Sequence, residues 1–256
     1  MKKFLLTATL AIIVLTATNA QGLGNMLKKA TTKDSSGKSA AGKFLKNSSS
    51  SGIGSDLSND DIISGLKDAL RVGTDSSSKQ LSKLDGFFGD AAIKILMPAE
   101  AQKVEKTLRS VGMGKVVDKA ILSMNRAAED AASGIGDIFW NSIKQMSITD
   151  GLQILRGGDF AATAYLKKMT TTELTAKFKP VIDGSLTKMD ATKYWDDVFS
   201  TYNKLSKDKV NTDLTAYVTE KALAGLFYNI GLEEQKIRKD PAAQVTGILK
   251  KVFGGK

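Results

Sequence analysis

The sequence predicts an all-α fold: one compact domain of about ten helices, preceded by a signal peptide and a flexible tether. Three observations support this prediction. From residue 57 to residue 256, apolar residues recur at intervals of three and four, as on one face of a helix. Short links containing Gly, Asp or Pro separate these segments. No segment repeats with a period of 20 to 50 residues, so we expect one domain of packed helices and not a solenoid.

Residues 1–20 are typical of a secretory signal peptide. The dipeptide Lys2-Lys3 precedes the apolar run Phe4–Leu15, and the small residues Thr18 and Ala20 suit a signal peptidase. The run is shorter than the roughly 20 residues that span a bilayer, which argues against an uncleaved anchor. We therefore expect cleavage after Ala20 and export to the periplasm or cell envelope as a soluble protein, without a lipid anchor because no Cys follows the run.

Residues 21–56 form a segment dominated by Ser, Gly and Lys, which we interpret as a flexible tether because it can bury little apolar surface. The chain has a net charge of +10, and most of it lies before residue 55. The lysines that precede residue 55 are Lys2, Lys3, Lys28, Lys29, Lys33, Lys38, Lys43 and Lys46, against the single Asp34. The remaining residues carry only +3, which does not favour a nucleic-acid-binding domain.

The predicted domain, residues 57–256, begins with a helix capped by Ser58. Asp61 stands three residues later, as in a capping box, and apolar residues recur from there to Leu81. The segment Asp85–Asp90 should end this helix. The next six residues, Ala92–Met97, resemble a strand but are too few for a sheet, so we predict an extended and largely buried connector.

Pro98 suits the first position of the second helix, which should end at Gly112. A strongly helical pattern covers Lys115–Ala132 and predicts the third helix. The triplet Gly134–Gly136 interrupts the pattern, and a short fourth helix should follow it and end near Met146.

The middle of the chain predicts three further helices. Thr149 can cap a helix that ends at Gly157, and Asp159 can cap the next one. Thr170, with an acidic residue three positions later, should begin another helix. Pro180 lies inside that pattern and should kink or split it, because proline lacks the N–H that a helix requires.

The C-terminal part predicts the remaining helices. Asp190 can cap a helix rich in aromatic residues, and Asn211 or Thr212 can cap a long one. Pro241 should begin the last helix, which ends near Phe253.

The residue inventory excludes several kinds of chemistry. The chain has no His and no Cys. It therefore lacks the usual neutral-pH general base, any thiol nucleophile and the ordinary ligands of zinc. We expect no metal and no cofactor, and we incline to a protein that is not an enzyme. Carboxylates are the remaining catalytic groups.

Eight residues are the candidates for a binding site or a structural polar network. They lie on three predicted helices beside small residues that allow close packing: Asn125, Arg126, Glu129, Asp159, Thr163, Tyr165, Glu234 and Arg238. Polar groups in such contacts need partners, so we predict that some of them form one buried hydrogen-bonded network joining the three helices. Two interpretations stay open: a polar core that specifies the fold, or a ligand site facing a cavity.

Several short segments together resemble a known family. They are Asp85–Phe87, Met124–Glu129, Asp150, Ile154–Asp159, Ala161–Tyr165, Leu226-Phe227, Glu233-Glu234, Ile237–Pro241 and Val252–Gly254. From about Leu57 to Gly254 the chain resembles the bacterial family catalogued as domain of unknown function 4197 (DUF4197). The resemblance implies an exported bacterial helical protein, and it implies no activity.

The sequence leaves three functions open. We favour a non-catalytic envelope protein that binds a small ligand or a partner protein. The first alternative is a hydrolase or lyase that uses paired carboxylates. The second is a protein lying on a membrane surface, with Lys28-Lys29 and the helix at Ile248–Phe253 as its contact. We expect no nucleic-acid partner.

Overall fold

The computed structural model describes residues 58–192 and 213–239, together with the helical residues Trp195, Phe199 and Asn203. Seven α-helices lie in the two described ranges, and no strand occurs there. The helices are α1 (Asn59–Leu81), α2 (Gln102–Ser110), α3 (Gly114–Ala131), α4 (Gly136–Gln145), α5 (Ile148–Arg156), α6 (Ala161–Lys188) and α7 (Leu214–Lys239). The signal peptide, the tether and the helix predicted after Pro241 lie outside the described residues. The all-α class is confirmed, whereas the count of ten helices is not.

Helix α1 begins and ends as predicted. The Ser58 hydroxyl accepts a hydrogen bond from the Asp61 N–H, and the Asp61 carboxylate accepts one from the Ser58 N–H, so the capping box is complete. The buried face of α1 includes Ile63, Leu66 and Leu70.

The link after α1 makes a tight turn and then extends. Asp85 has a φ of 65°. Gly86 passes so close to the backbone of Leu81 that a Cβ would lie 2.4 Å from its carbonyl oxygen, which only glycine avoids. In the predicted connector, Ile93, Ile95 and Met97 are buried, whereas Leu96 is exposed. This alternation is what an extended chain lying on the core produces.

The next three helices follow the prediction with small shifts. Pro98 precedes a 3₁₀ turn, Ala99–Ala101, and so stands just before its first position. Gly112, with a φ of 82°, follows α2, and Gly134, with a φ of 69°, follows α3. Helix α4 then buries Phe139 and Ile143 completely.

The boundaries predicted at Thr149 and Thr170 are wrong, and the helix is not split at Pro180. Ser147, not Thr149, caps α5, and it forms a capping box with Asp150. Helix α6 runs unbroken for 28 residues, through both Thr170 and Pro180. The Thr170 hydroxyl donates to the Leu166 carbonyl at 2.7 Å and does not begin a helix.

Burial explains why Pro180 does not end α6. A proline inside a helix costs about 3 kcal/mol. Its neighbours Leu174, Phe178 and Ile182 are fully buried, and burying each such side chain stabilises the fold by about 1.5–3 kcal/mol. The core contacts on both sides of the proline therefore outweigh its cost.

The caps predicted for the C-terminal helices also change. Asp190 has a φ of 54°, which is not the extended geometry of an N-cap residue. Asp213 caps α7 by accepting from the Ala216 N–H at 2.7 Å. Asn211 and Thr212 lie outside the described residues.

Helices α6 and α7 form the centre of the described fold. They pack against each other; α6 also contacts α3, α4 and α5, and α7 contacts α1 and α3. The rings of Phe139 and Phe227 meet edge to face, with centroids 6.3 Å apart, where α4 approaches α7. None of the helices described is long and apolar enough to cross a membrane.

Candidate functional site

Asn125 holds the extended connector against α3. Its side chain is fully buried. The Ile95 N–H donates to Asn125 Oδ1 at 2.9 Å, and Asn125 Nδ2 donates to the carbonyls of Ile95 and Ile121 at 2.8 and 2.7 Å. The amide makes the two hydrogen bonds that a neighbouring strand would otherwise make. It thus satisfies both the N–H and the carbonyl of Ile95 in the core.

Glu129 fixes the turn after α1 from the same face of α3. The N–H groups of Phe87 and Phe88 donate to Glu129 Oε1 at 3.0 and 3.1 Å. Arg126 donates to Glu129 Oε2 at 2.6 Å and to Asp85 at 2.7 Å. The pKa of the Arg126 guanidinium is raised, mainly by its hydrogen bond to Glu129. Only 3% of Glu129 is exposed, so these hydrogen bonds must offset the cost of burying the carboxylate.

Glu234 of α7 caps the first turn of α6. Phe160, the N-cap residue of α6, provides no side-chain hydrogen bond. Instead, the N–H groups of Ala162 and Thr163 donate to the two oxygens of Glu234 at 2.9 and 2.8 Å, and the Thr163 hydroxyl adds a third bond at 2.8 Å. The positive end of the α6 dipole also stabilises the negatively charged carboxylate. The prediction that Asp159 caps this helix is therefore wrong.

Arg238 joins the same carboxylate to α5. It donates to Glu234 Oε1 through Nε at 2.9 Å and Nη2 at 2.8 Å, and to the Ile154 carbonyl at 2.8 Å. Asp159 lies nearby and pairs with Lys239 at 2.8 Å on the surface. The hydrogen bond from Lys239 lowers the pKa of Asp159.

Seven of the eight candidate residues lie in two clusters: Arg126 bonds to Glu129, with Asn125 on the same helix bonding separately to Ile95, and Thr163 and Arg238 both bond to Glu234. The α3 cluster comprises Asn125, Arg126 and Glu129 and anchors the segment 85–95. The α7 cluster comprises Thr163, Glu234 and Arg238, with Asp159 at its edge, and joins α5, α6 and α7.

Tyr165 belongs to neither cluster. It is partly buried beside Asp150, and burial raises the pKa of its phenol. The sequence pattern did not predict Asp85 as a partner of Arg126 or Lys239 as a partner of Asp159. Asp85 does lie in a segment that carries the family resemblance.

Comparison with protein families identifies the chain. The model of a family described as a protein of unknown function, DUF4197, matches residues 56–254. The chain belongs to the DUF4197 family. Comparisons with curated proteins and with solved structures yield no significant match.

The hydrogen bonds of the two clusters join several of the segments that carry the DUF4197 resemblance. Asp85–Phe87 meets Met124–Glu129 in the α3 cluster. Ala161–Tyr165 meets Glu234 in the α7 cluster, where the carbonyl of Ile154 accepts from Arg238. These segments therefore specify how the turn and the helices dock on one another.

A small apolar cleft, with a cavity volume of about 30 Å³, lies between α1, α6 and α7 in this DUF4197 domain. Its walls include Leu66, Leu70 and Gly73 of α1, Leu166 of α6 and Ile230 of α7. Glu234 and Arg238 of the α7 cluster border it. Of the eight candidate residues, these two are therefore the ones that face this cleft.

Two other clefts lie in the described part of the chain. The first lies between the connector and α7, and Lys94, Lys221 and Tyr217 are among its lining residues. Burial raises the pKa of Tyr217 to about 12, and its hydroxyl donates to the Leu96 carbonyl. The other is lined by Tyr165 and Asp150 among others. Each of the three clefts has at most one carboxylate in its lining, which does not suit a paired-acid mechanism.

Proposed function

We propose that this DUF4197 protein is an exported, non-catalytic binding domain, and that the apolar cleft between α1, α6 and α7 takes a small apolar ligand. The observation that carries the proposal is the cleft itself, whose walls are mainly aliphatic side chains from three helices. Ligand pockets in proteins are typically concave, mostly apolar and bordered by a few polar groups. Because the volume of this cleft is about 30 Å³, its side chains must move apart to admit a ligand.

The polar groups at the cleft favour an apolar ligand. The Thr74 hydroxyl donates to the Leu70 carbonyl at 2.9 Å, within α1. Both oxygens of Glu234 accept hydrogen bonds from α6, and one also accepts from Arg238. A ligand would have to break these bonds to use the groups, so affinity must come mainly from buried apolar area.

The two buried glutamates support the non-catalytic part of the proposal. Glu129 and Glu234 each bind two backbone N–H groups and one arginine. A general acid or base must instead reach a substrate proton. The carboxylates of both buried glutamates thus hold segments of the domain together.

Filling the cleft from Gly73 should weaken ligand binding. A Cβ at Gly73 would meet Ile237 and Glu233 at 3.8 and 3.9 Å, which are ordinary contacts, so a larger side chain there extends into the space beside α7. We expect N-phenyl-1-naphthylamine, a neutral fluorescent probe, to bind the chain from Gln21 saturably. Gly73→Leu should weaken that binding about tenfold, as expected when about 1.4 kcal/mol of apolar burial is lost.

The matched control is Gly184→Leu. Gly184 lies inside α6 with no atom near its missing Cβ, so this substitution gives the same gain in helix propensity without filling the cleft. Probe affinity should stay within about twofold of the parent, less than 0.5 kcal/mol. The binding proposal fails if the probe does not saturate, or if the two variants lose affinity equally.

Export is the second part of the proposal, and it rests on residues 1–20. We expect the chain to be found in the envelope fraction with Gln21 as its N-terminus and to be released by osmotic shock. Intact-mass spectrometry of that fraction checks the prediction. A chain that retains Met1–Ala20 there would contradict it.

A further inference from the structure

The turn between α2 and α3 exposes three apolar side chains. Val111, Met113 and Val116 are 64%, 45% and 44% exposed. They lie within six residues of one another, in a turn where Gly112 has a positive φ. Residues 111–116 are called the apolar turn below. An apolar cluster this exposed favours contact with another surface.

The apolar turn has a fixed conformation. The Met113 N–H donates to the Leu108 carbonyl at 2.8 Å and closes the end of α2. Arg109 pairs with Glu105 at 2.9 Å and with Asp118 at 2.8 Å, so it ties α2 to the start of α3. Helix α2 itself has no fully buried residue and lies on the surface of the domain. The three apolar side chains are thus presented by a braced surface turn.

Basic residues flank the apolar turn on both sides in the sequence. Between residues 102 and 119 five basic residues stand against two acidic ones, giving a net charge of +3. Both acidic residues, Glu105 and Asp118, are paired with Arg109. Lys106, Lys115 and Lys119 are exposed. The surface around the turn therefore attracts anions.

We propose that the apolar turn inserts into the interfacial region of an anionic phospholipid bilayer. Exposed apolar side chains flanked by lysines suit such an interface, because the side chains enter the acyl boundary while the ammonium groups stay among the lipid phosphates. A stable protein partner would need a larger complementary surface than three side chains on a turn. This contact site differs from Lys28-Lys29 and from Ile248–Phe253, and it does not depend on the apolar cleft.

A single-thiol label tests insertion directly, because the chain has no Cys. Met113→Cys carries an environment-sensitive nitrobenzoxadiazole dye, and Met169→Cys is the control at similar exposure on α6. With vesicles of phosphatidylcholine and phosphatidylglycerol at 3:1, dye emission should rise about twofold or more and shift to the blue at position 113 only. Vesicles of phosphatidylcholine alone should give a much weaker change, because the lysines then lack anionic partners.

Sedimentation with the same vesicles measures how much the turn contributes. The triple variant Val111→Ser, Met113→Ser, Val116→Ser should lower the partition coefficient about fivefold or more. The control triple variant Val72→Ser, Met169→Ser, Leu232→Ser alters apolar residues of 43–48% exposure elsewhere and should change it less than twofold. The proposal is overturned if the chain does not sediment with anionic vesicles. It is equally overturned if the chain sediments without a dye response at position 113, since the lysines before residue 55 would then explain binding.

Discussion

Replacing Glu234 with glutamine should lower the free energy of unfolding by about 3–5 kcal/mol, the usual loss when one partner of a buried ion pair is removed. Glu234 is 8% exposed, and Arg238 depends on it for two hydrogen bonds. The N–H groups of Ala162 and Thr163 now bind the two different oxygens of Glu234, whereas the glutamine amide has only one acceptor oxygen. Its NH₂ group would therefore face one of these two N–H groups. Chemical denaturation followed by circular dichroism measures the change.

Glu233→Gln is the matched control for this variant. It makes the same chemical change one residue earlier in α7, at a partly exposed side chain that is outside the α7 cluster. Its free energy of unfolding should stay within about 0.5 kcal/mol of the parent. Equal losses in the two variants, or no loss in Glu234→Gln, would contradict the role of Glu234 as the cap of α6.

Local patterns in the sequence predict most helices because each one depends on nearby residues. The capping box at Ser58 and Asp61 forms between residues three apart, and it is confirmed. The buried face of α7 follows the predicted spacing through Val218, Leu226 and Ile230. Such features need no knowledge of what packs against the helix.

Boundaries set by tertiary contacts could not be predicted in this way. Asp159 has the residue type and position of a cap, yet the first turn of α6 is capped by Glu234, which is 71 residues from Thr163 in the chain. Pro180 remains inside α6 because the core holds the helix on both sides. In both cases a distant contact outweighs a local preference.

The candidate site shows the same division between local and distant effects. Spacing along one helix predicts the Glu234–Arg238 pair, and the structure contains it. Spacing cannot predict that Glu129 binds the N–H groups of Phe87 and Phe88, since that contact depends on how the turn folds back onto α3. The two glutamates bind different segments of the chain: Glu129 binds the turn after α1, and Glu234 binds the first turn of α6.

Glu129→Gln should cost about 2–4 kcal/mol of unfolding free energy if the α3 cluster specifies the fold. One amide oxygen can still accept from the N–H groups of Phe87 and Phe88, but the charge that pairs with Arg126 is lost. Arg126 would keep only the exposed Asp85 as an ionic partner. This expected loss is therefore somewhat smaller than that of Glu234→Gln.

The control for the α3 cluster is Glu173→Gln, an exposed glutamate on α6 that should change stability by less than about 0.5 kcal/mol. Thermal and chemical unfolding of both variants decide between the two interpretations of the cluster. A loss of several kcal/mol confined to Glu129→Gln supports a structural anchor for residues 85–95. Unchanged or raised stability would instead indicate a strained site retained for function, because removing such a group commonly stabilises a protein. Only a structural anchor predicts a loss of stability, so one measurement distinguishes an anchor from a functional site.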